Sequence, residues 1–126
     1  MTPPRMRISA TVLGAPDAQA LGAFYARLLS WTVVTNEPGW VRVKPADGGT
    51  GLSFQDESAY VRPVWPPAPG QQQMMSHLDI AVEDLATGVA HALEVGATLA
   101  DFQPQEHVRV MLDPAGHPFC LFPGPV

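Results

Sequence analysis

Residues 76–96, SHLDIAVEDLATGVAHALEVG, predict a strand that is followed directly by a capped helix. Apolar and β-branched residues in SHLDIAV (76–82) favour the strand. Asp84 can cap the next segment, because its carboxylate accepts the unpaired N–H groups of a first helical turn. Apolar residues then recur at helical spacing, at Leu85, Val89, Ala92 and Leu93. Gly96 is typical of the residue just beyond a helix end, which completes a strand–helix unit.

The first half of the chain has the same order of elements. RMRISATVL (5–13) predicts a strand, Asp17 caps a helix, and the helical apolar pattern ends near Leu29. Turn signals Pro-Gly and Asp-Gly-Gly then separate three short strands, at 31–37, 40–45 and 51–55. In the second half, ATLADF, HVRVML and PFCLF can supply three strands in the same way. Both halves therefore predict a β-α-β-β-β module.

The length of 126 residues predicts one domain of the α+β class, in which the two modules pack together. We place module 1 at about 5–55 and module 2 at about 75–123. Residues 56–74 contain four prolines and no clear period, so we predict an extended, stiff linker there.

The overall composition excludes several classes of protein. The formal net charge is -5, and no basic cluster is present, which argues against nucleic-acid binding. No apolar run approaches the length of a membrane span, and the start lacks the apolar core of a signal peptide. A single cysteine cannot form an intrachain disulfide. These features predict a cytoplasmic protein with no membrane partner.

Several motifs resemble the vicinal oxygen chelate superfamily, which includes glyoxalase I, extradiol dioxygenases and the bleomycin and fosfomycin resistance proteins. The motifs are FYARLLSW (24–31), HLDIAVEDL (77–85) and DPAGHPFCLF (113–122). Trp65-Pro66 and Gln71-Gln72 are similar to a pattern of the small bacterial glyoxalase-like domains. The resemblance implies two β-α-β-β-β modules forming a cupped mixed sheet. It also implies a homodimer in which both chains build each cup.

Enzymes of the superfamily hold a divalent metal with ligands from the first and last strands of each module. The resemblance puts those positions at Ala10, Ser53 or Gln55, His77 and Cys120. Ala10 cannot bind a metal, and Gln55 is a weak neutral donor. A catalytic zinc normally has three protein ligands, so we expect no metal and no other cofactor. If a metal is bound, His77 and Cys120 are the expected ligands.

His77 and Asp79 are the candidate catalytic residues. Strand alternation puts them on one face, where the carboxylate can orient the imidazole for general-base catalysis. The alternatives are a cavity-lining, hydrogen-bonding His77 and a structural Asp79. Cys120 lies between Phe119 and Leu121 in a strand, and we interpret it as part of a wall, because no cationic neighbour is indicated that would make its thiol reactive.

The aromatic residues suggest a site for a flat organic ligand. Trp40 shares a strand face with Arg42 and Lys44, which favours a cup or rim position. Trp65, in the linker, can close a cavity or pack on a second chain. The predicted ligand contacts are Trp40, Phe54, Gln55, Trp65, His77, Cys120 and Phe122. The alternative for each aromatic residue is an ordinary core position or a dimer anchor.

Two functions follow from these expectations, and a scaffold or regulatory domain with a vestigial cup is a third, less favoured alternative. The first is a metal-free protein that binds a small hydrophobic or aromatic molecule, with antibiotic resistance by sequestration as its concrete form. The second is a lyase, isomerase or dioxygenase of the vicinal oxygen chelate superfamily, which uses a metal or the acid–base pair His77 and Asp79.

Overall fold

The computed structural model describes residues 2–126, which form two compact units, one ending at Ser58 and the other starting at Ala59. Unit 1 contains β1 (Ala10–Ala15), α1 (Ala18–Leu29), β2 (Thr32–Glu37), β3 (Trp40–Lys44) and β4 (Gly51–Asp56). Unit 2 contains β5 (Leu78–Val82), α2 (Leu85–Glu94), β6 (Thr98–Leu99), β7 (Arg109–Leu112) and β8 (Pro118–Pro123). The predicted α+β class and the two β-α-β-β-β modules are confirmed.

Each unit has one four-stranded mixed sheet. The strand order is β1-β4-β3-β2 in unit 1 and β5-β8-β7-β6 in unit 2. The first and last strands of each unit are parallel neighbours, and the other pairs are antiparallel. The helix connects the first strand to the far edge of the sheet, so it must cross one face of it.

Both helices begin at the predicted aspartates. Asp17 accepts a hydrogen bond from Ala20 N at 3.1 Å, and Asp84 accepts one from Thr87 N at 2.9 Å. The Thr87 hydroxyl also donates to Asp84, and these bonds to the charged form hold the pKa of Asp84 below its ordinary value. Each cap thus satisfies N–H groups that have no partner within the helix.

The core of unit 1 lies between α1 and its sheet. The rings of Phe24 and Tyr25 meet edge to face at 4.8 Å, and Tyr25 stacks on Phe54 at 5.6 Å. Gly22 brings the helix close to β3, because a Cβ there would lie 2.5 Å from Val41 Cγ1. In unit 2, Phe119, Leu121 and Met111 are fully or almost fully buried.

Three segments differ from the sequence-based expectation. β1 starts at Ala10 rather than at residue 5, because its partner β4 begins at the paired residue Gly51. β6 has only two residues, because the Gln103 side chain takes over the pairing beyond it. That side chain donates to Ala100 O at 2.8 Å and accepts from Val110 N at 2.8 Å.

The third difference is the predicted linker (56–74), which we call the Pro-rich segment. From Ala59 onward it belongs to unit 2 and folds against it instead of being simply extended. Val64 N donates to Gln72 O at 2.9 Å, which closes a loop within the segment. The Trp65 indole donates to Phe102 O at 3.0 Å, and the Trp65–Pro66 peptide bond is cis.

Among residues 2–126, no helix is long and apolar enough to cross a membrane.

Candidate functional site

The sheet of unit 2 has one face against α2 and one face that its own helix does not cover. A Cβ at Gly88 would lie 2.9 Å from Val82 Cγ1, so α2 packs on the face that carries Val82. Because side chains alternate along a strand, Asp79 and Ala81 project from the opposite face. Their register partners on β8 are Cys120 and Phe122. We call this surface, formed by His77, Asp79, Ala81, Cys120 and Phe122, the helix-free face of unit 2.

Three side chains with different chemistry meet at one end of the helix-free face. His77 Nε2 lies 3.1 Å from Asp79 Oδ1, and one donor atom each from His77, Asp79 and Cys120 lie within 4.8 Å of one another. The side chains of His77 and Asp79 are 37% and 63% exposed. The structure therefore brings together the two predicted catalytic residues and Cys120, in reach of solvent.

The Cys120 thiol is held in its protonated form. Burial raises the pKa of Cys120, and the negative charge of Asp79 and its hydrogen bond with the thiol raise it further. A thiol with a raised pKa has less of the nucleophilic thiolate at neutral pH. The expectation that Cys120 is not a reactive nucleophile fits this environment.

We expect the substitution Asp79→Asn to make Cys120 react severalfold faster with iodoacetamide at pH 8. The substitution removes the negative charge that raises the thiol pKa, so the rate-against-pH curve moves to lower pH. The measurement is the pseudo-first-order alkylation rate followed by intact mass, with the exposed Asp101→Asn as control. An unchanged or slower rate in Asp79→Asn contradicts this account of the thiol.

The cluster supplies the third metal donor that the sequence alone did not indicate. Within unit 2, Asp79 stands with His77 and Cys120 as a third donor that was not predicted from the sequence. A nitrogen, a carboxylate oxygen and a sulfur suit a zinc-like ion and do not suit magnesium or calcium, which prefer oxygen ligands alone. The donor set therefore fits a metal of the zinc class, although the superfamily pattern of two histidines and two carboxylates is absent.

Register settles which residue of unit 1 corresponds to Cys120. One displacement along the chain relates Asp17 to Asp84, Val12 to Asp79, and Ser53 to Cys120. Val12 pairs with Ser53 on adjacent parallel strands, as Asp79 pairs with Cys120. Ser53, and not Gln55, is therefore the counterpart of Cys120. With Ala10 in the place of His77, this position of unit 1 has no comparable donor set.

Trp40 and Gln55 lie on the corresponding helix-free face of unit 1. They are register partners on β3 and β4, and Arg42 shares their face by alternation. Phe54, by contrast, points to the other face, where its ring is 0% exposed and stacks on Tyr25. Phe54 does not belong to the candidate site, because the helix covers it. Phe54 is therefore a core residue and not the ligand contact that we predicted.

Trp65 lies in unit 2 with its ring beside Phe102, at a centroid distance of 6.2 Å. Its indole N–H is already bonded to the Phe102 carbonyl. It therefore anchors the Pro-rich segment, and its predicted ligand contact stays a prediction.

A polar network surrounds the turn before β8 and was not predicted from the sequence. The buried Asp113 carboxylate accepts from Ala115 N and His117 N, both at 3.0 Å, and lies 2.9 Å from His117 Nδ1. The Tyr60 hydroxyl donates to Ala115 O at 2.7 Å. The pKa of Tyr60 is raised to about 12, mainly by burial and to a smaller extent by the negative charge of Asp113. The signal for the turn was present, since Asp in Asp-Pro-Ala-Gly commonly bonds its own following backbone. The partner Tyr60, 57 residues before His117, gave no local signal.

Paired β-α-β-β-β units with a helix on one face of each mixed sheet define the architecture of the vicinal oxygen chelate superfamily. A family model described as a glyoxalase-like domain matches residues 10–122. The chain belongs to this glyoxalase-like family, and the resemblance seen in the sequence is confirmed.

Solved structures with low sequence identity share this fold. A glyoxalase/bleomycin resistance protein/dioxygenase family enzyme from Burkholderia phytofirmans PsJN has a TM-score of 0.67 and 19% identity, covering 90% of this chain and 94% of its own. The oxidase ChaP-H2 has a TM-score of 0.66 and 20% identity, with coverage of 95% and 94%. TnmS3, an antibiotic binding protein from Streptomyces sp. CB03234, has a TM-score of 0.60 and 16% identity, with coverage of 96% and 98%. A comparison with curated proteins finds no match.

Proposed function

We propose that this protein binds a small hydrophobic or aromatic molecule on the helix-free face of unit 2 and holds it without turnover. The observation that carries the proposal is the partly exposed Phe122 beside Ala81, on the same face as the polar pair His77 and Asp79. Small-molecule sites typically combine an apolar wall with a few polar groups that fix the orientation of the ligand.

The Phe122 ring is well placed to act as a rigid wall. A Cβ at Gly124 would lie 3.0 Å from Phe122 Cε2 and 3.5 Å from Ala81 Cβ, so the Phe122 ring and the Ala81 methyl group both lie next to the backbone at Gly124. A ring that is already ordered loses little conformational freedom when a ligand stacks on it. An aromatic ligand then gains apolar contact at Phe122 and a hydrogen bond at His77 or Asp79.

Sequestration is the form of binding that we propose. TnmS3, which shares the fold, is an antibiotic binding protein, and that supports a role in antibiotic resistance by capture. The protonated Cys120 thiol adds no reactive nucleophile to the face. Binding without turnover predicts protection in proportion to the amount of protein.

The test is a panel of aromatic compounds, including anilinonaphthalene sulfonate, naphthol and anthraquinone, titrated by calorimetry or fluorescence. We expect saturable binding of at least one compound, weakened about tenfold in Phe122→Ala through loss of stacking area. The control is Leu93→Ala, an exposed apolar residue on α2, which packs on the opposite face. No saturable binding across the panel, or equal affinity in Phe122→Ala, contradicts the proposal.

The close pair His77 and Asp79 favours a second candidate, an enzyme that moves a proton on a bound ligand. An exposed imidazole oriented by a carboxylate at 3.1 Å is suited to general-base catalysis. This candidate predicts product in excess of protein, and loss of product with retained binding in His77→Ala. The homodimer and the cytoplasmic location expected from the sequence stay predictions.

A further inference from the structure

The backbone fixes the relative position of two of the three donors in the His77, Asp79 and Cys120 cluster. Asp79 and Cys120 are direct register partners on the adjacent parallel strands β5 and β8. Neighbouring strands lie about 4.8 Å apart, so side chains on one face start within bonding reach of a shared ion. His77 directly precedes β5, and its Nε2 lies 3.1 Å from Asp79 Oδ1. The cluster is thus a consequence of strand pairing.

The spacing of the donor atoms is close to what a tetrahedral ion requires. Zinc bonds of about 2.0–2.3 Å place the ligand atoms about 3.3–3.8 Å apart. The three donors here lie within 4.8 Å of one another, so closure needs a movement of about 1 Å at the widest pair. Because the side chains of His77 and Asp79 are 37% and 63% exposed, rotation about their own bonds can supply it.

We propose that His77 Nε2, one Asp79 carboxylate oxygen and Cys120 Sγ bind one divalent ion of the zinc class within unit 2 alone. Three protein donors leave a fourth position open for water or a ligand atom. This site differs from the one that the superfamily resemblance implies, because it draws on one module and uses Asp79 in place of donors from module 1. It does not rest on the proposed function, since the ion binds without an organic ligand.

Ion binding displaces the proton of the Cys120 thiol, because thiolate is the ligand form of cysteine. Binding should therefore release a proton and strengthen as the pH rises. The neighbouring carboxylate then changes role, from acceptor of the thiol hydrogen to ligand of the same ion. Oxygen-preferring ions such as magnesium gain nothing from the sulfur and the nitrogen.

The test uses untagged full-length protein and Co²⁺ as a spectroscopic probe, followed by competition with Zn²⁺. We expect one ion per chain, a sulfur-to-cobalt charge-transfer band, and visible bands of tetrahedral intensity. Cys120→Ser should abolish the charge-transfer band, and His77→Ala and Asp79→Asn should each weaken binding at least tenfold. The matched control is His107→Ala, an exposed histidine outside the cluster, which should bind as the wild type does.

Two results overturn the proposal. One is the absence of stoichiometric cobalt or zinc binding by protein that circular dichroism shows to be folded. The other is binding that Cys120→Ser, Asp79→Asn and His77→Ala leave unchanged, which indicates an adventitious ion elsewhere. Repeating the aromatic titration with a chelator present removes any bound ion, so failure of one proposal is distinguishable from failure of the other.

Discussion

Phe54→Ala is expected to lower the free energy of unfolding by about 4 kcal/mol, because truncating a fully buried phenylalanine removes apolar burial and leaves a cavity. The Phe54 ring is 0% exposed, stacks on Tyr25 at 5.6 Å and approaches the α1 backbone at Gly22. Urea denaturation followed by circular dichroism measures the change.

The control is Val34→Ala on β2, where the side chain is 48% exposed and the loss should be small. The affinity of the folded fraction for an aromatic ligand should not change in Phe54→Ala, because Phe54 lies under α1. A loss of affinity with unchanged stability contradicts its placement in the core and restores its predicted ligand contact.

Asp113→Ala is expected to lower the free energy of unfolding by about 3 kcal/mol, because it leaves buried donors without their charged acceptor. The Asp113 side chain is 0% exposed and accepts from two backbone N–H groups and from His117 Nδ1. Asp113→Asn should lose less, since its amide oxygen can still accept from Ala115 N and His117 N.

Thermal and urea unfolding of the two variants provide the measurement, with Asp101→Ala as the exposed control. Stability within about 0.5 kcal/mol of the wild type in Asp113→Ala contradicts the role given to the network.

The caps and the order of elements could be predicted because their signals are local. Asp17 and Asp84 each precede an apolar helical pattern, and both cap the helix that the pattern predicts. A side chain two or three residues away supplies the physics, so one sequence is enough. The same holds for the glycine turns that separate the strands.

The candidate site could be predicted only in part because it depends on strand pairing. Alternation within one strand is sufficient to predict His77 and Asp79 as a pair on one face. The pairing of Asp79 with Cys120 depends on the parallel register of two strands about 40 residues apart, which no local pattern specifies. The third donor of the cluster could therefore not be predicted from the sequence.

Two neighbouring residues on β4 show most clearly that the sequence does not specify which face of a strand the helix covers. Phe54 and Gln55 were both predicted to contact the ligand, although successive residues project to opposite faces. Only the packing of α1 on Phe54 shows which of the two faces the helix leaves uncovered. The docking of Tyr60 beside His117 likewise depends on a contact between distant parts of unit 2.

The most direct test of the central claim is an amide NMR titration of the labelled protein with the tightest-binding compound of the aromatic panel. The account predicts saturable shifts concentrated at residues 77–81 and 118–122, with the largest changes near Phe122 and little change along the exposed side of α2. Saturable shifts confined to other elements, or no saturable shift at all, would contradict a small-molecule site on the helix-free face of unit 2.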